Sequence, residues 1–131
     1  MIIKKEFTID LAHRLQQHEW KCFNVHWHTY KIILFIKGEQ KTEWPETWMV
    51  MDFWNTKYIK DWFNENRDHS YLYNKWDEIW EFIKSKWMRV WECDFELTAE
   101  NMCKFILKQF PELYGVEVFE TPTSSALLFN D

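Results

Sequence analysis

Glycine is nearly absent from this sequence of 131 residues. Only Gly38 and Gly115 are present, whereas average usage of about 7% would supply roughly nine glycines. Ten tryptophans accompany the two glycines. Since no linker, low-complexity tract or internal repeat interrupts the chain, we expect a single domain over residues 1–131, a length that suffices for one hydrophobic core.

Other absences restrict the possible functions. No run of 18 apolar residues occurs, which argues against a membrane-spanning helix. The first residues, MIIKKEF, lack the apolar stretch and cleavage site of a secretory signal, so we expect a cytoplasmic protein. Basic residues are not in excess, and the formal net charge of −5 disfavours nucleic acid as a partner. The three cysteines, without C-x-x-C spacing, disfavour a disulfide framework.

Apolar periodicity predicts an α+β domain. We expect strands at residues 2–13, 28–37 and 48–53, helices at 55–66, 76–86 and 98–110, and closing strands at 115–120 and 125–129. Thr98 can cap the last helix and Pro111 ends it. This order of elements predicts an antiparallel sheet with helices on one face.

Three histidines fall on core-facing positions of the predicted strands. Side chains two residues apart on a strand share a face, so His26 and His28 project together, and His13 shares parity with the apolar residues of the first strand. Burying three imidazoles is costly unless they are satisfied, and one metal ion would satisfy all three. Three imidazoles leave the fourth position of a zinc ion open, as in catalytic sites. An H-x-H pair alone is weak, and His13 strengthens it only if the two strands are neighbours.

Further polar residues are candidates for chemistry. Cys22 precedes the paired histidines, and a thiol near a metal or an imidazole can act as a base or nucleophile. Asp68 and His69 can form a carboxylate–imidazole pair if the chain turns between them. Glu120 lies on the apolar parity of its strand, which indicates either the open end of the strand or a ligand anchor. The sequence leaves both alternatives open.

Six blocks of sequence are more specific in combination than any residue alone. They are FTIDLAHRL, KCFNVHWHTYK, MVMDF, RDHSYLYN, LTAEN and VEVFETPTSSA, and together they cover nearly the whole chain. This series closely resembles the 6-pyruvoyl-tetrahydropterin synthase and 6-carboxy-tetrahydropterin synthase family, whose patterns read A-A-H-R-L, C-x-x-x-H-G-H, G-M-V-x-D-F, L-D-H-x-x-L-N, P-T-x-E-N and E-T. The segments HEWKC and ETPTS are more similar to the bacterial 6-carboxy branch, which feeds 7-deazaguanine and queuosine synthesis.

The resemblance implies a tunnelling fold, which is a four-stranded antiparallel sheet with helices on one face. In this family three subunits close a twelve-stranded barrel, and two trimers stack into a hexamer. Closing the barrel removes exposed sheet edges. The resemblance also places the active site between subunits, so a homo-oligomer is expected.

The same resemblance implies a set of functional residues. Zinc would be bound by His13, His26 and His28; Cys22 would be the catalytic thiol with Asp68 and His69 as its partners; Glu120, with Thr98 nearby, would bind the pterin. Candidates for holding a triphosphate are Lys21, Arg14 and Lys31, among which the sequence does not select.

The implied activity is that of a zinc-dependent lyase acting on 7,8-dihydroneopterin triphosphate. The 6-carboxy branch releases acetaldehyde and triphosphate and forms 6-carboxy-5,6,7,8-tetrahydropterin. The alternatives are a 6-pyruvoyl-tetrahydropterin synthase and a pterin-binding member of the fold without turnover. The similarity of HEWKC and ETPTS to the 6-carboxy branch favours the first activity, and the other two stay open as alternatives.

Tryptophan stands where the family has glycine, as at Trp20, Trp27 and Trp48. We hypothesise that the source organism translates UGA as glycine. This sequence would then result from translating the same codons as tryptophan. The shortage of about seven glycines matches the tryptophan excess in size, and by position every tryptophan except Trp62 is expected in a loop or at a motif glycine. The alternative is that the tryptophans are genuine and pack. We then expect poor folding or a crowded site near Trp27, because tryptophan in a left-handed conformation costs about 1–2 kcal/mol.

Overall fold

The computed structural model describes residues 1–15, 24–74, 77 and 79–130. Six strands and three α-helices lie in these ranges. They are β1 (Ile2–His13), β2 (His26–Lys37), α1 (Lys57–Asn66), β3 (Ser70–Asn74), α2 (Trp80–Ser85), β4 (Val90–Cys93), α3 (Ala99–Gln109), β5 (Gly115–Thr121) and β6 (Ser124–Phe129). A 3-10 turn, Phe53–Thr56, leads into α1. None of the described helices has the length and apolar character needed to cross a membrane.

The six strands form one mixed sheet in the order β4-β3-β1-β2-β5-β6. The predicted four-stranded antiparallel sheet corresponds to β1, β2, β5 and β6, whose three pairings are all antiparallel. The prediction was wrong for the rest, because β3 adds parallel to β1 and β4 adds parallel to β3. These two strands are only five and four residues long, which is too short for a clear period-two pattern.

The two longer helices cover one face of the sheet, as predicted. Helix α3 buries Met102, Cys103 and Ile106 against the core. From α1, the ring of Phe63 lies 5.7 Å from that of Phe7 on β1, centroid to centroid. Full burial of such apolar side chains stabilises a fold by roughly 1.5–3 kcal/mol each.

The short helix α2 departs from the one-face arrangement. Its first residue, Trp80, stacks on Tyr73 of β3 with ring centroids 4.9 Å apart. Tyr73 alternates with Leu72, which belongs to the main core. Since neighbouring strand residues point to opposite faces, α2 packs on the face of β3 that α1 and α3 do not cover.

The prediction of a third strand at residues 48–53 is also wrong, because these residues form no strand. The segment folds locally, with backbone hydrogen bonds from Trp48 N to Lys41 O (2.7 Å) and from Lys41 N to Met49 O (2.8 Å). The carboxylate of Asp52 accepts a hydrogen bond from Trp54 N at 2.9 Å and caps the 3-10 turn. These local bonds occupy backbone groups that a ladder with a neighbouring strand would need.

Helix α3 begins and ends where the sequence predicts. Thr98 adopts an extended backbone and its hydroxyl accepts a hydrogen bond from Asn101 N at 3.2 Å. The helix ends at Gln109, and Pro111 follows the C-cap residue Phe110. The predicted N-cap is confirmed.

Five of the described tryptophans are largely exposed. They are Trp27 (74% exposed), Trp44 (87%), Trp48 (73%), Trp54 (71%) and Trp87 (97%). Trp48 and Trp87 have φ angles of 69° and 62°, in the left-handed region. A β-carbon is strained there and glycine is not, so the backbone at these two positions is the one that glycine adopts.

Three other tryptophans are packed. Trp91 of β4 is buried in the main core, Trp62 contacts Phe63, Phe105 and Phe110, and Trp80 stacks on Tyr73 as described. The expectation that every tryptophan except Trp62 lies in a loop or at a motif glycine was therefore wrong. Trp20 and Trp76 lie outside the described residues.

Candidate metal centre and the Asp68–His69 cluster

The pairing of β1 with β2 brings the three predicted histidines together. The register sets His13 opposite His26 and Leu11 opposite His28, so the three imidazoles share one face of the sheet. Ring centroids are 4.4 Å apart for His13 and His26, 5.1 Å for His26 and His28, and 5.6 Å for His13 and His28. One ring nitrogen from each residue lies within 4.8 Å of those of the other two. Three nitrogens can therefore reach one cation.

His13 is the buried member of this cluster, with 1% of its surface exposed. Among the described residues, neither of its ring nitrogens has a hydrogen-bond partner. Burial, with the neighbouring His26 and His28, lowers the pKa of His13 to about 3; the nearby backbone of Leu97 acts in the opposite direction without reaching hydrogen-bond geometry. The ring is thus neutral at pH 7, which is the form that binds metal.

An unsatisfied buried polar group of this kind costs about 1–3 kcal/mol, and a metal ion would remove that cost. His26 is also arranged as a ligand. Its Nδ1 lies 2.7 Å from the backbone oxygen of Asn24, so Nδ1 carries the proton and Nε2 keeps its lone pair. The donor set of three imidazoles fits a divalent metal such as zinc.

Glu120 lies at the edge of the histidine cluster. Its Oε1 is 3.4 Å from His28 Nε2, which places the carboxylate beside the metal centre. Tyr30 is fully buried next to His28, with ring centroids 5.8 Å apart, and its hydroxyl has no hydrogen-bond partner among the described residues. Burial and the negative charge of Glu120 raise the pKa of Tyr30. Sequence patterns missed Tyr30 because an aromatic residue at a core position gives no functional signal.

Thr98 is placed one residue from Leu97, whose backbone approaches His13. Its hydroxyl oxygen accepts the capping hydrogen bond of α3, while the hydroxyl proton stays available as a donor. The expected proximity of Thr98 to the site is therefore compatible with the fold. Cys22, the predicted thiol, lies outside the described residues.

Asp68 and His69 lie together but not at the histidine cluster of the same chain. The turn that the sequence required is present, and His69 has a φ of 58°. Its Nε2 lies 3.6 Å from Asp68 Oδ2 and 3.9 Å from Asp10 Oδ2. Asp10 and His13 have opposite parity on β1, so Asp68 and His69 face the other side of the sheet from the metal centre.

A cavity of about 700 Å³ opens beside His69. Its lining includes Asp10, Trp27, His69, Tyr71, Ile83 and Met88. Trp27 alternates with His26 and His28 along β2 and therefore points away from them. Trp27 is 74% exposed and borders this cavity, so it does not crowd the three histidines.

Two of the three candidates for holding a triphosphate are engaged within the chain. Arg14 Nε lies 3.2 Å from the buried Asp77, and Lys31 Nζ lies 4.2 Å from the centre of the Phe119 ring. Lys21 lies outside the described residues. These contacts do not select a phosphate ligand.

The fold and the site define a class: an α+β protein in which two antiparallel strands present three histidines to one cation. The family whose description is 6-pyruvoyl tetrahydropterin synthase matches residues 2–130. The chain belongs to this family.

Individual relatives agree with this assignment. A 6-carboxy-5,6,7,8-tetrahydropterin synthase from Haemophilus influenzae is 32% identical over 93% of this chain and 94% of its own length. A 6-carboxy-5,6,7,8-tetrahydropterin synthase from Synechocystis is 34% identical over 98% of this chain and 93% of its own length. Among solved structures, an uncharacterized protein from Wolinella succinogenes superposes with a TM-score of 0.81 at 21% identity, covering 100% of this chain and 98% of its own. The Caenorhabditis elegans 6-pyruvoyl tetrahydropterin synthase superposes with a TM-score of 0.72 at 21% identity, and the match covers 100% of this chain and 96% of the other.

Proposed function

We propose that this single-domain protein is a zinc-dependent carbon–oxygen lyase. It would convert 7,8-dihydroneopterin triphosphate and one water molecule to 6-carboxy-5,6,7,8-tetrahydropterin, acetaldehyde and triphosphate, which breaks one C–O bond and one C–C bond of the substrate side chain. The observation that carries the proposal is the meeting of His13, His26 and His28 around one point, where the buried ring nitrogens of His13 have no hydrogen-bond partner in the part of the chain that the structure describes. The names of the two relatives above favour the 6-carboxy product. The pathway would be 7-deazaguanine and queuosine synthesis, in the cytoplasm.

His13, His26 and His28 would hold the zinc through one nitrogen each. When bound, zinc would supply Lewis acidity toward the hydroxyl groups of the substrate side chain, which eases removal of a proton. Because His13 is neutral and buried, it binds without first having to lose a proton.

Other residues of the chain would bind the pterin and move protons. Glu120 would accept two hydrogen bonds from the amino and ring N–H groups of the pterin, and charge-assisted bonds of this kind are stronger than neutral ones. Its position 3.4 Å from His28 would hold the substrate side chain against the metal centre. Thr98 would donate its hydroxyl proton to the same ligand. Cys22, as a thiolate, would take or relay the proton removed from the side chain.

Asp68 and His69 would serve the site of a neighbouring subunit. They face the opposite side of the sheet from the three histidines, so one chain alone does not assemble both groups. The edge strand β6 also carries exposed apolar residues, Leu127 (50%), Leu128 (37%) and Phe129 (38%), and an apolar sheet edge favours pairing with another chain. We therefore propose a homo-oligomer, a trimeric barrel or a hexamer of two trimers.

Complementation tests this shared site. Chains with Cys22→Ala and chains with His69→Ala should each be inactive, and unfolding and refolding them together should restore activity, since some sites then receive both intact groups. Refolding each variant alone is the control. No recovery in a mixture that forms the wild-type oligomer would contradict the shared site.

Product analysis tests the activity. The zinc-loaded protein is incubated with 7,8-dihydroneopterin triphosphate, and the products are identified by mass spectrometry. We expect 6-carboxy-5,6,7,8-tetrahydropterin and acetaldehyde. Formation of 6-pyruvoyl-tetrahydropterin without acetaldehyde would assign the rival synthase instead.

A pterin-binding protein without turnover is the remaining alternative. It predicts binding of the pterin and no products in the same assay, with equal behaviour of the wild type and Cys22→Ala. The lyase predicts that Cys22→Ala loses activity and keeps its zinc. Cys103→Ala, at a buried helix position, is the matched control and should retain both.

A further inference from the structure

We propose that Asp10 is a positioning residue for the His69 imidazole, which it holds together with Asp68 in a carboxylate–imidazole–carboxylate arrangement. The proposal rests on the proposed function for its catalytic meaning. The family resemblance pointed to Asp68 and His69 alone. Asp10 gave no signal in the sequence because an acidic residue on the polar parity of a strand is typical of a solvated face.

Both carboxylates are anchored in the same way. Asp10 Oδ1 accepts a hydrogen bond from Thr29 Oγ1 at 2.5 Å, and Asp68 Oδ1 accepts one from Asp10 N at 2.8 Å. Each carboxylate therefore has one fixed oxygen and turns the other, Oδ2, toward His69 Nε2, at 3.9 Å and 3.6 Å.

The backbone around His69 is held as well. His69 N donates to Asp10 O at 2.7 Å, which ties the turn to β1. The guanidinium of Arg89 donates to Asp68 O at 2.9 Å and also to Glu65 O. With the backbone fixed in a left-handed turn, rotation of the His69 side chain, which is 74% exposed, is the main freedom left, and both carboxylates lie at its Nε2.

This arrangement selects one tautomer of the ring. Nε2 faces two carboxylate oxygens at 3.6 Å and 3.9 Å, which is ion-pair distance and longer than a direct hydrogen bond. Because ionised carboxylates only accept hydrogen bonds, their negative charge favours the neutral tautomer with the proton on Nε2 and the lone pair on Nδ1. Orientation of an imidazole by a carboxylate is how catalytic triads fix their base. His69 and Asp10 line the 700 Å³ cavity, so a ligand in this cavity would meet both the imidazole and the Asp10 carboxylate.

The test compares the full-length, zinc-loaded wild type with Asp10→Asn. In protein labelled with ¹⁵N-histidine, ring nitrogen shifts report the tautomer of His69, which His69→Gln assigns. We expect the wild type to be mainly Nε2–H and Asp10→Asn to shift toward Nδ1–H, because an amide can donate to Nε2. We expect kcat to fall about tenfold with KM unchanged, as for other orienting partners, and Asp10→Glu to restore part of it.

Thr29→Val is a second variant that keeps the carboxylate and removes its anchor. It should shift the tautomer in the same direction by a smaller amount. Thr8→Val is the matched control, since Thr8 lies on the same face of β1 opposite Lys31 and should change neither readout.

The outcomes separate this proposal from the lyase assignment. A His69 tautomer unchanged in both Asp10→Asn and Thr29→Val overturns the positioning role, whatever the activity of the wild type. If the tautomer shifts in the two variants but the wild type shows no turnover, the positioning role is supported and the lyase assignment is overturned.

Discussion

Replacing Trp48 or Trp87 by glycine should stabilise the protein. Both residues have positive φ angles, 69° and 62°, and a side chain in the left-handed region costs about 1–2 kcal/mol. Glycine removes that cost but adds chain entropy to the unfolded state, worth roughly 0.5–1 kcal/mol. Because both rings are exposed at 73% and 97%, little packing is lost. We expect a net gain of about 0.5–1 kcal/mol for each replacement.

Trp54→Gly is the matched control. Trp54 is as exposed as Trp48, at 71%, but it lies in the 3-10 turn Phe53–Thr56 and is not among the residues with positive φ. Its replacement should therefore destabilise the protein by about 0.5–1 kcal/mol. Trp91→Gly removes a buried ring and should cost at least about 3–5 kcal/mol.

Urea unfolding followed by circular dichroism measures these differences without relying on tryptophan fluorescence. Equal destabilisation by Trp48→Gly, Trp87→Gly and Trp54→Gly would refute the reasoning, because the left-handed backbone would then carry no cost. The gene gives an independent check. We expect UGA codons at the five exposed tryptophans and UGG at Trp62, Trp80 and Trp91; UGG codons at Trp27 and Trp48 would refute the decoding hypothesis.

Three further predictions concern the site. His13→Ala should lose bound zinc by metal analysis, while His69→Ala, on the other face of the sheet, should keep it; equal loss in both would contradict the assigned ligands. The metal-free protein should lose several kcal/mol of unfolding free energy as the pH falls from about 6.5 to about 3. The pKa of His13 is about 3 in the folded chain and about 6.5 in the unfolded chain. Protons therefore bind preferentially to the unfolded chain over this range. Urea titrations should show a flatter pH dependence in His13→Leu. Glu120→Gln should weaken pterin binding at least about tenfold by calorimetry, whereas Glu117→Gln, on the same strand with its carboxylate on Ser125, should bind normally; equal loss would point to a general effect on β5.

The sequence predicts the histidine cluster because parity alone assigns its members to one face. His26 and His28 are two residues apart, and His13 follows the apolar parity of β1. What parity does not supply is the pairing of β1 with β2, and only the register His13↔His26 brings the distant imidazole to the pair. The closing strands and α3 were predicted for the same reason, since their periodicity extends over enough residues to be distinctive.

The parts that the sequence missed depend on long-range contacts. β4 has four residues and is recognisable as a strand only by its parallel pairing with β3. The segment 48–53 has apolar residues typical of a strand. Local hydrogen bonds override that preference, because its backbone bonds to Lys41 and the Asp52 carboxylate accepts from Trp54 N. Asp10 acquires a partner in His69 only because β3 docks beside β1. This docking also brings Asp10 next to Asp68, which is 58 residues away in the sequence.

Strand β1 carries two kinds of chemistry on its two faces. His13 points to the three-histidine cluster, and Asp10, three residues earlier, points to His69 and the cavity. Because side chains alternate with a period of two, a slip of one residue in the β1–β2 register would move each group to the wrong face. The twelve-residue pairing from Ile2↔Lys37 to His13↔His26 therefore fixes both sites at once. Under the proposed function, each chain then contributes its histidines to one active site and its Asp10–His69–Asp68 cluster to another, so the reaction requires an oligomer even though each chain folds around its own core.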